Sequence, residues 1–143
     1  MRTVESPDGD RLLVRKASGD SLLVADPETG EERYVPRDEV SELEGASPLE
    51  TAAAGVPAAT RRVLTAVHDD ESLGLLVELV DRGPLAVVTL LDAYDCCESD
   101  LHGQLAEFRA AGLVDEARVA GERGYDATAL AADGVANLRA TDD

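Results

Sequence analysis

The sequence predicts an α+β protein: a small N-terminal antiparallel β meander, then a larger, mainly helical domain closed by a hairpin. Three observations predict it. Over residues 1–45 short apolar runs alternate with tight-turn residues. From Pro57 onward apolar residues recur at helical spacing. Near the C-terminus a polar, glycine-broken stretch separates two helical segments.

In the meander, Arg11–Arg15, Ser21–Ala25 and Arg33–Val35 read as strands. Pro7–Asp10, Ser18–Asp20 and Asp26–Gly30 between them supply the Asp, Pro and Gly that tight turns need. Three or four short strands are expected. Pro36–Leu43 is expected to close the module as a short helix, because proline suits a first turn. Residues 46–56 are small, Ala-rich and interrupted by Pro48, and read as a linker with some helix. The expected division is a β module over 1–45, a linker over 46–56 and a helical domain over 57–143.

Pro57 opens a helix to about Val67, with Val56, Val63 and Val67 on one side. The cluster His68-Asp69-Asp70-Glu71 is expected to end it as a solvated turn. In the next helix Leu73, Leu76, Val77 and Val80 fall at i, i+3, i+4 and i+7, and Gly83-Pro84 stops it. A further helix is expected over Leu85–Ala93. Another is expected over Glu98–Ala111, with Cys97, Leu101, Leu105 and Phe108 on one face. Asp95 is the expected cap of that helix, with Glu98 as its reciprocal partner. After Gly112 come Leu113-Val114, a polar strand to Val119, a turn over Ala120–Gly124 and a return strand from Tyr125. A last helix over Ala131–Arg139 carries Val135 and Leu138.

Composition limits the function. Acidic residues outnumber basic ones 30 to 13, for a formal charge of −17, and Lys16 is the sole lysine. Such an excess destabilises a compact state by self-repulsion. At molar salt the Debye length falls to roughly 3 Å and the penalty is screened. The acid-rich, lysine-poor, Ala/Val-rich composition resembles that of proteins from extreme halophiles, haloarchaea in particular. Hydrophobic residues make up 44% of the chain and recur periodically, which argues against a disordered acidic protein. No apolar run is long enough to span a bilayer, and no charged start followed by an apolar stretch marks a signal peptide. A cytoplasmic protein is expected.

Nothing in the sequence assembles a catalytic centre. His68-Asp69-Asp70-Glu71 has metal-ligand residue types but reads as a helix end. His102 reads as a surface histidine. Cys96 and Cys97 are adjacent, so an ordinary structural disulfide between them is excluded. Cys97 is expected in the core, and Cys96 is a candidate redox thiol without a nearby cation to activate it. Asp8-Gly9-Asp10 is half a calcium loop without its closing glutamate. There is no phosphate-cradling glycine loop and no nucleophile elbow. No enzyme activity, metal or cofactor is expected.

The order helix, helix, helix, Gly-Leu-Val, hairpin, helix is the winged helix-turn-helix plan. The run Leu105–Val114 resembles the L-x-x-L-x-x-x-G-L-V end of the third helix in bacterial and archaeal winged-helix regulators. Glu122-Arg123-Gly124-Tyr125 resembles their wing, and Leu130-Ala131-Ala132-Asp133-Gly134 the L-T-x-x-G start of their closing helix. Ala131 stands where that pattern has Thr or Ser, so a lost helix cap is expected. With its N-terminal β segment, the chain also resembles a family of uncharacterised haloarchaeal winged-helix proteins.

The resemblance implies a DNA-binding transcriptional regulator, as a homodimer. Ser99, His102, Gln104 and Arg109 would face the DNA groove, and Arg118 and Arg123 of the wing would touch phosphates. The β module would sense, dimerise or recruit. The residues themselves support a rival. Opposite the apolar face of the third helix lie Ser99, Gly103, Ala106 and Ala110, too small to read base edges. From Pro57 to the end there are 7 arginines and 17 acidic residues, a local charge of −10 that opposes approach to DNA. A winged-helix adaptor that binds a protein partner instead of DNA is therefore the alternative. Arg61 and Arg62 on the leading helix are candidates for DNA-backbone or dimer contacts, weighed against a plain solvated face.

Overall fold

The computed structural model describes residues 2–139. The chain forms two compact units, residues 1–57 and 58–143.

The first unit is a five-stranded antiparallel sheet in the order β4-β3-β2-β1-β5. Its strands are β1 (Arg2–Glu5), β2 (Arg11–Ser18), β3 (Ser21–Ala25), β4 (Glu32–Pro36) and β5 (Ser41–Glu42). Val4, Leu12, Val14, Leu22 and Val24 form its aliphatic core. The antiparallel meander agrees with expectation, but two strands come in addition. β1 is only four residues long and lacks a local pattern. It becomes a strand by pairing with β2 across a turn closed by Ser6 N to Asp10 O (2.9 Å). The helix expected over Pro36–Leu43 is a single 3-10 turn, Arg37–Glu39, followed by β5. Pairing of β5 with β1 at Val4↔Glu42 overrides the local helix signal.

The segment read as a linker contains α1 (Pro48–Ala53). Ser47 caps it by accepting from Glu50 N, and proline occupies the first turn. Thr51 is buried and its hydroxyl meets that of Thr3 at 2.9 Å, tying the helix to β1 within this unit.

The second unit comprises α2 (Ala58–Ala66), α3 (Asp70–Arg82), β6 (Leu85–Ala86), α4 (Val87–Ala93), α5 (Glu98–Ala110), β7 (Val114–Val119), β8 (Glu122–Ala127) and α6 (Ala129–Arg139). The three strands pair in the order β6-β8-β7. Helices followed by the β7–β8 hairpin and a closing helix form a winged-helix-like arrangement. Phe108, Leu76, Leu79, Leu90, Leu105 and Leu113 are fully buried in one aliphatic core.

Several boundaries differ from expectation, each for a physical reason. The His68–Glu71 cluster starts a helix rather than ending one. Asp69 Oδ1 accepts from Ser72 N at 2.8 Å, and Ser72 Oγ accepts from Asp69 N at 3.2 Å. Asp70 and Glu71 then sit in the first turn of α3, where the helix dipole favours negative charge. The most buried line of α3 is Ser72, Leu76 and Leu79, with Leu73, Val77 and Val80 half-buried beside it. Leu85-Ala86 is a strand, not a helix start, because it pairs with Tyr125 and Gly124 of β8. Glycine is required at 124, since a Cβ there would lie 2.4 Å from Leu85 O. The wing turn contains only Ala120 and Gly121, both at positive φ (52° and 83°), as a type I′ hairpin demands. Glu122–Gly124, expected in the turn, belongs to β8 because pairing continues to Val119↔Glu122.

The closing helix keeps a cap despite Ala131. Thr128 Oγ1 accepts from Ala131 N at 3.3 Å and donates to Gly112 O at 2.7 Å. The cap sits three residues before the position compared with the motif, and also ties α6 to the end of α5.

Candidate functional site

α4 and α5, with the short connection between them, stand where the second and third helices of a winged-helix-like arrangement stand. Leu101, Leu105 and Phe108 bury one face of α5. That leaves Ser99, Gly103, Ala106, Glu107 and Ala110 on exposed positions.

The six residues expected to face DNA fall into two groups. Ser99 is exposed in the first turn, its hydroxyl 3.1 Å from Cys97 Sγ. His102 is half-buried, with Nε2 3.6 Å from Glu98 Oε1 one turn back. Gln104 turns inward: its Nε2 donates to Ala66 O at 3.2 Å, satisfying a carbonyl at the end of α2. These three do not form a shared polar surface.

Of the other three, two are brought together and the third lies on the same hairpin. Arg109, at the end of α5, donates to Glu116 Oε1 at 3.1 Å. Arg123 of β8 donates to the same oxygen at 3.3 Å and to the Tyr125 hydroxyl at 3.0 Å, with its guanidinium 5.8 Å from that ring centre. The Tyr125 hydroxyl, and then Glu116, raise the Arg123 pKa further. Arg118 lies directly opposite Arg123 in the hairpin register and donates to Gly121 O at 3.4 Å. Glu116 thus joins Arg109 of α5 to Arg123 of the wing, while the hairpin as a whole carries two arginines, Arg118 and Arg123, against four carboxylates, Asp115, Glu116, Glu122 and Asp126. Exposed pairs of this kind are worth roughly 0.2–1 kcal/mol each, so Glu116 lowers the local positive charge without locking the side chains.

Between α3 and α5 lies a groove of about 800 Å³. Leu75 and Tyr94 contribute apolar surface to it, and the buried Leu101 lies at its floor. Asp69, Glu71 and Glu78 line it from the α3 side, and Asp95, Asp100 and Glu107 from the α5 side. Glu107 pairs with His68, and Glu78 accepts from the Tyr94 hydroxyl at 2.9 Å. Among the described residues no cationic side chain forms an ion pair with Glu71, Asp95 or Asp100. The groove also carries two mid-helix glycines, Gly74 on α3 and Gly103 on α5. A Cβ added at either would meet nothing within 4 Å.

Two expectations about the start of α5 are corrected. Cys97 is not in the core: it is exposed, in extended conformation (φ −73°, ψ 138°), as the residue before the helix. Helical spacing cannot be extended to a residue outside the helix. For the same reason Asp95 lies too far upstream to cap it, and no side chain fills the cap position. The Cys97 thiol pKa is lowered, first by the Ser99 hydroxyl and then by the backbone N–H groups of Asp100 and Ser99. Those N–H groups fall short of full cap geometry yet favour the thiolate. The negative charge of Asp100 acts the other way.

The groove, the role of Glu116 and the exposure of Cys97 were not read from the sequence. Gly74, inside an otherwise regular helical pattern, was the signal available for the groove. Glu116 had none, because its partners lie on α5 and β8. Among the described residues no group of three or more His, Cys, Asp or Glu side chains could hold a metal ion, and no helix is long and apolar enough to cross a membrane. No curated protein and no solved structure matches the chain. A family model does match, over residues 1–139, and by it the chain belongs to DUF7346, a family of unknown function.

Proposed function

We propose that the second unit is a winged-helix interaction module, adapted to high salt in the cytoplasm, that binds another protein through α5 instead of reading DNA. One observation carries this reading. The part of α5 that would enter a major groove offers Asp100, Gly103, Ala106 and Glu107, while its one amide, Gln104, is engaged with the Ala66 carbonyl. Specific base contacts are made mainly by Arg, Lys, Asn and Gln. A small-residue helix face instead suits close approach of another backbone. The haloarchaeal origin implied by composition belongs to the same reading, because screening at molar salt leaves apolar contact as the main attraction.

The test is Ala106→Arg. It is expected to release a co-purified protein partner in molar potassium chloride without lowering the melting temperature. A complex that survives the substitution defeats the reading.

A second reading, DNA binding as a regulator, is favoured by Arg118 and Arg123 opposite one another on the wing and by Arg109 of α5, which meets Arg123 at Glu116. In it these arginines hold phosphates, and Ser99 and His102 approach the groove, as a homodimer paired through α2. A retardation assay with genomic fragments in molar potassium chloride checks it, and absence of a shift for every fragment rejects it.

A further inference from the structure

We propose that the groove between α3 and α5 seats a cationic amphipathic helix of the partner protein, with Gly74 and Gly103 leaving room for its close approach. The inference rests on the protein-interaction reading above and names an occupant for the part of that surface, Asp100, Gly103 and Glu107, that lines the groove.

Three features of different kinds converge on this occupant. The first is shape. The groove, about 800 Å³ in volume, runs between two helices, and Leu75 and Tyr94 give it apolar surface. An amphipathic helix laid in an apolar groove is a recurring mode of recognition.

The second is the pair of glycines. Glycine in a helix interior is unfavourable relative to alanine. A glycine is retained where a neighbouring backbone comes too close for a Cβ, as at Gly124 against Leu85. At Gly74 and Gly103 the chain itself supplies no such neighbour, and both residues face the groove. An external occupant supplies the missing reason for both.

The third is charge. Six carboxylates line the groove, and the imidazole of His68 is the one side chain among its lining residues that can become cationic. Lysines or arginines along the edges of a docked helix would pair with Glu71, Asp95 and Asp100. Such rim charges set orientation and association rate more than affinity, and salt screens them. The apolar surface then holds the complex when salt is high.

The experiment uses the full chain and a fluorescently labelled synthetic helix of leucine and lysine at amphipathic spacing. Its leucine/glutamate counterpart and a scrambled leucine/lysine peptide serve as controls. Anisotropy is followed from 0.3 to 2 M potassium chloride. At 0.3 M the cationic helix is expected to bind at least tenfold more tightly than either control; at 2 M its lead over the leucine/glutamate helix is expected to shrink while its lead over the scrambled peptide persists. Gly74→Leu and Gly103→Leu are each expected to weaken it at least tenfold while melting no lower than wild type. If a leucine variant misfolds, Gly74→Ala or Gly103→Ala replaces it, with a smaller loss expected.

Equal binding of the scrambled peptide, or glycine variants that bind like wild type, overturns the inference. Competition by spermine at the peptide's own concentration also overturns it, in favour of a small polycation. The broader reading fails separately, because Ala106 does not line the groove. A partner released by Ala106→Arg but indifferent to both glycine substitutions leaves the interaction module standing and removes the groove as its seat.

Discussion

Glu116 and Cys97 show how single side chains acquire roles from neighbours that are distant in sequence or outside the helical register. Glu116 holds Arg109 and Arg123 through one oxygen. Replacing it with glutamine removes the negative charge that pairs with these two arginines. Glu116→Gln is expected to raise nonspecific affinity for duplex DNA several-fold at low salt, and to steepen the salt dependence by about one phosphate contact. Filter binding across a salt series measures both, and an unchanged slope would mean that the wing does not meet phosphate. The stability change should stay below about 1 kcal/mol, as for exposed ion pairs.

Cys97 gives a pH prediction. Its pKa is depressed, chiefly by the Ser99 hydroxyl, so the thiolate forms at lower pH than in an unstructured cysteine peptide. Alkylation by iodoacetamide should reach half its maximal rate at correspondingly lower pH, and Ser99→Ala should move that midpoint up. Mass spectrometry of the two cysteine peptides separates Cys97 from Cys96. The linkage has one sign: interactions that favour the thiolate add stability above the unfolded-state pKa and lose it as pH falls through the folded-state value.

At the scale of elements, periodicity located the helix interiors and missed their ends. Leu101, Leu105 and Phe108 were expected on one face of α5 and are buried there, because a 3.6-residue repeat is a property of the chain alone. The start of α5 depended on where Cys97 leaves helical conformation, which the repeat does not encode. α6 illustrates the same limit. The motif position Ala131 suggested a missing cap, whereas Thr128 provides one and also bonds Gly112 across the end of β7–β8. Thr128→Ala should therefore cost about 1 kcal/mol or more, the usual loss for a cap, measured by urea denaturation. No change in the midpoint would mean that the Thr128 bonds contribute nothing. Short strands were the least legible elements. β1, β5 and β6 have four residues or fewer, and each exists through pairing with a partner elsewhere in its own unit.

For the whole molecule, charge is the dominant variable. With a formal charge of −17, self-repulsion opposes the compact state at low ionic strength. The melting temperature is expected to rise steadily as potassium chloride increases from 0.1 to 2 M, by several degrees or more. A chain equally stable at both ends of that range would contradict the high-salt reading. The aliphatic core of the second unit, with Phe108 as its one phenylalanine, is insensitive to screening and supplies the stability that remains.

By itself, the sequence determined the α+β class, the buried face of α5, the turn-rich meander and the winged-helix-like order. Each follows from residue spacing and local backbone preference, and neither requires knowledge of distant neighbours. Tertiary structure decided the state of the candidate site. It turned Gln104 inward to the Ala66 carbonyl, brought Arg109 and Arg123 onto Glu116, exposed Cys97, and set Gly74 and Gly103 along one acidic groove. These outcomes depend on which side chains meet across elements, and that is a property of packing.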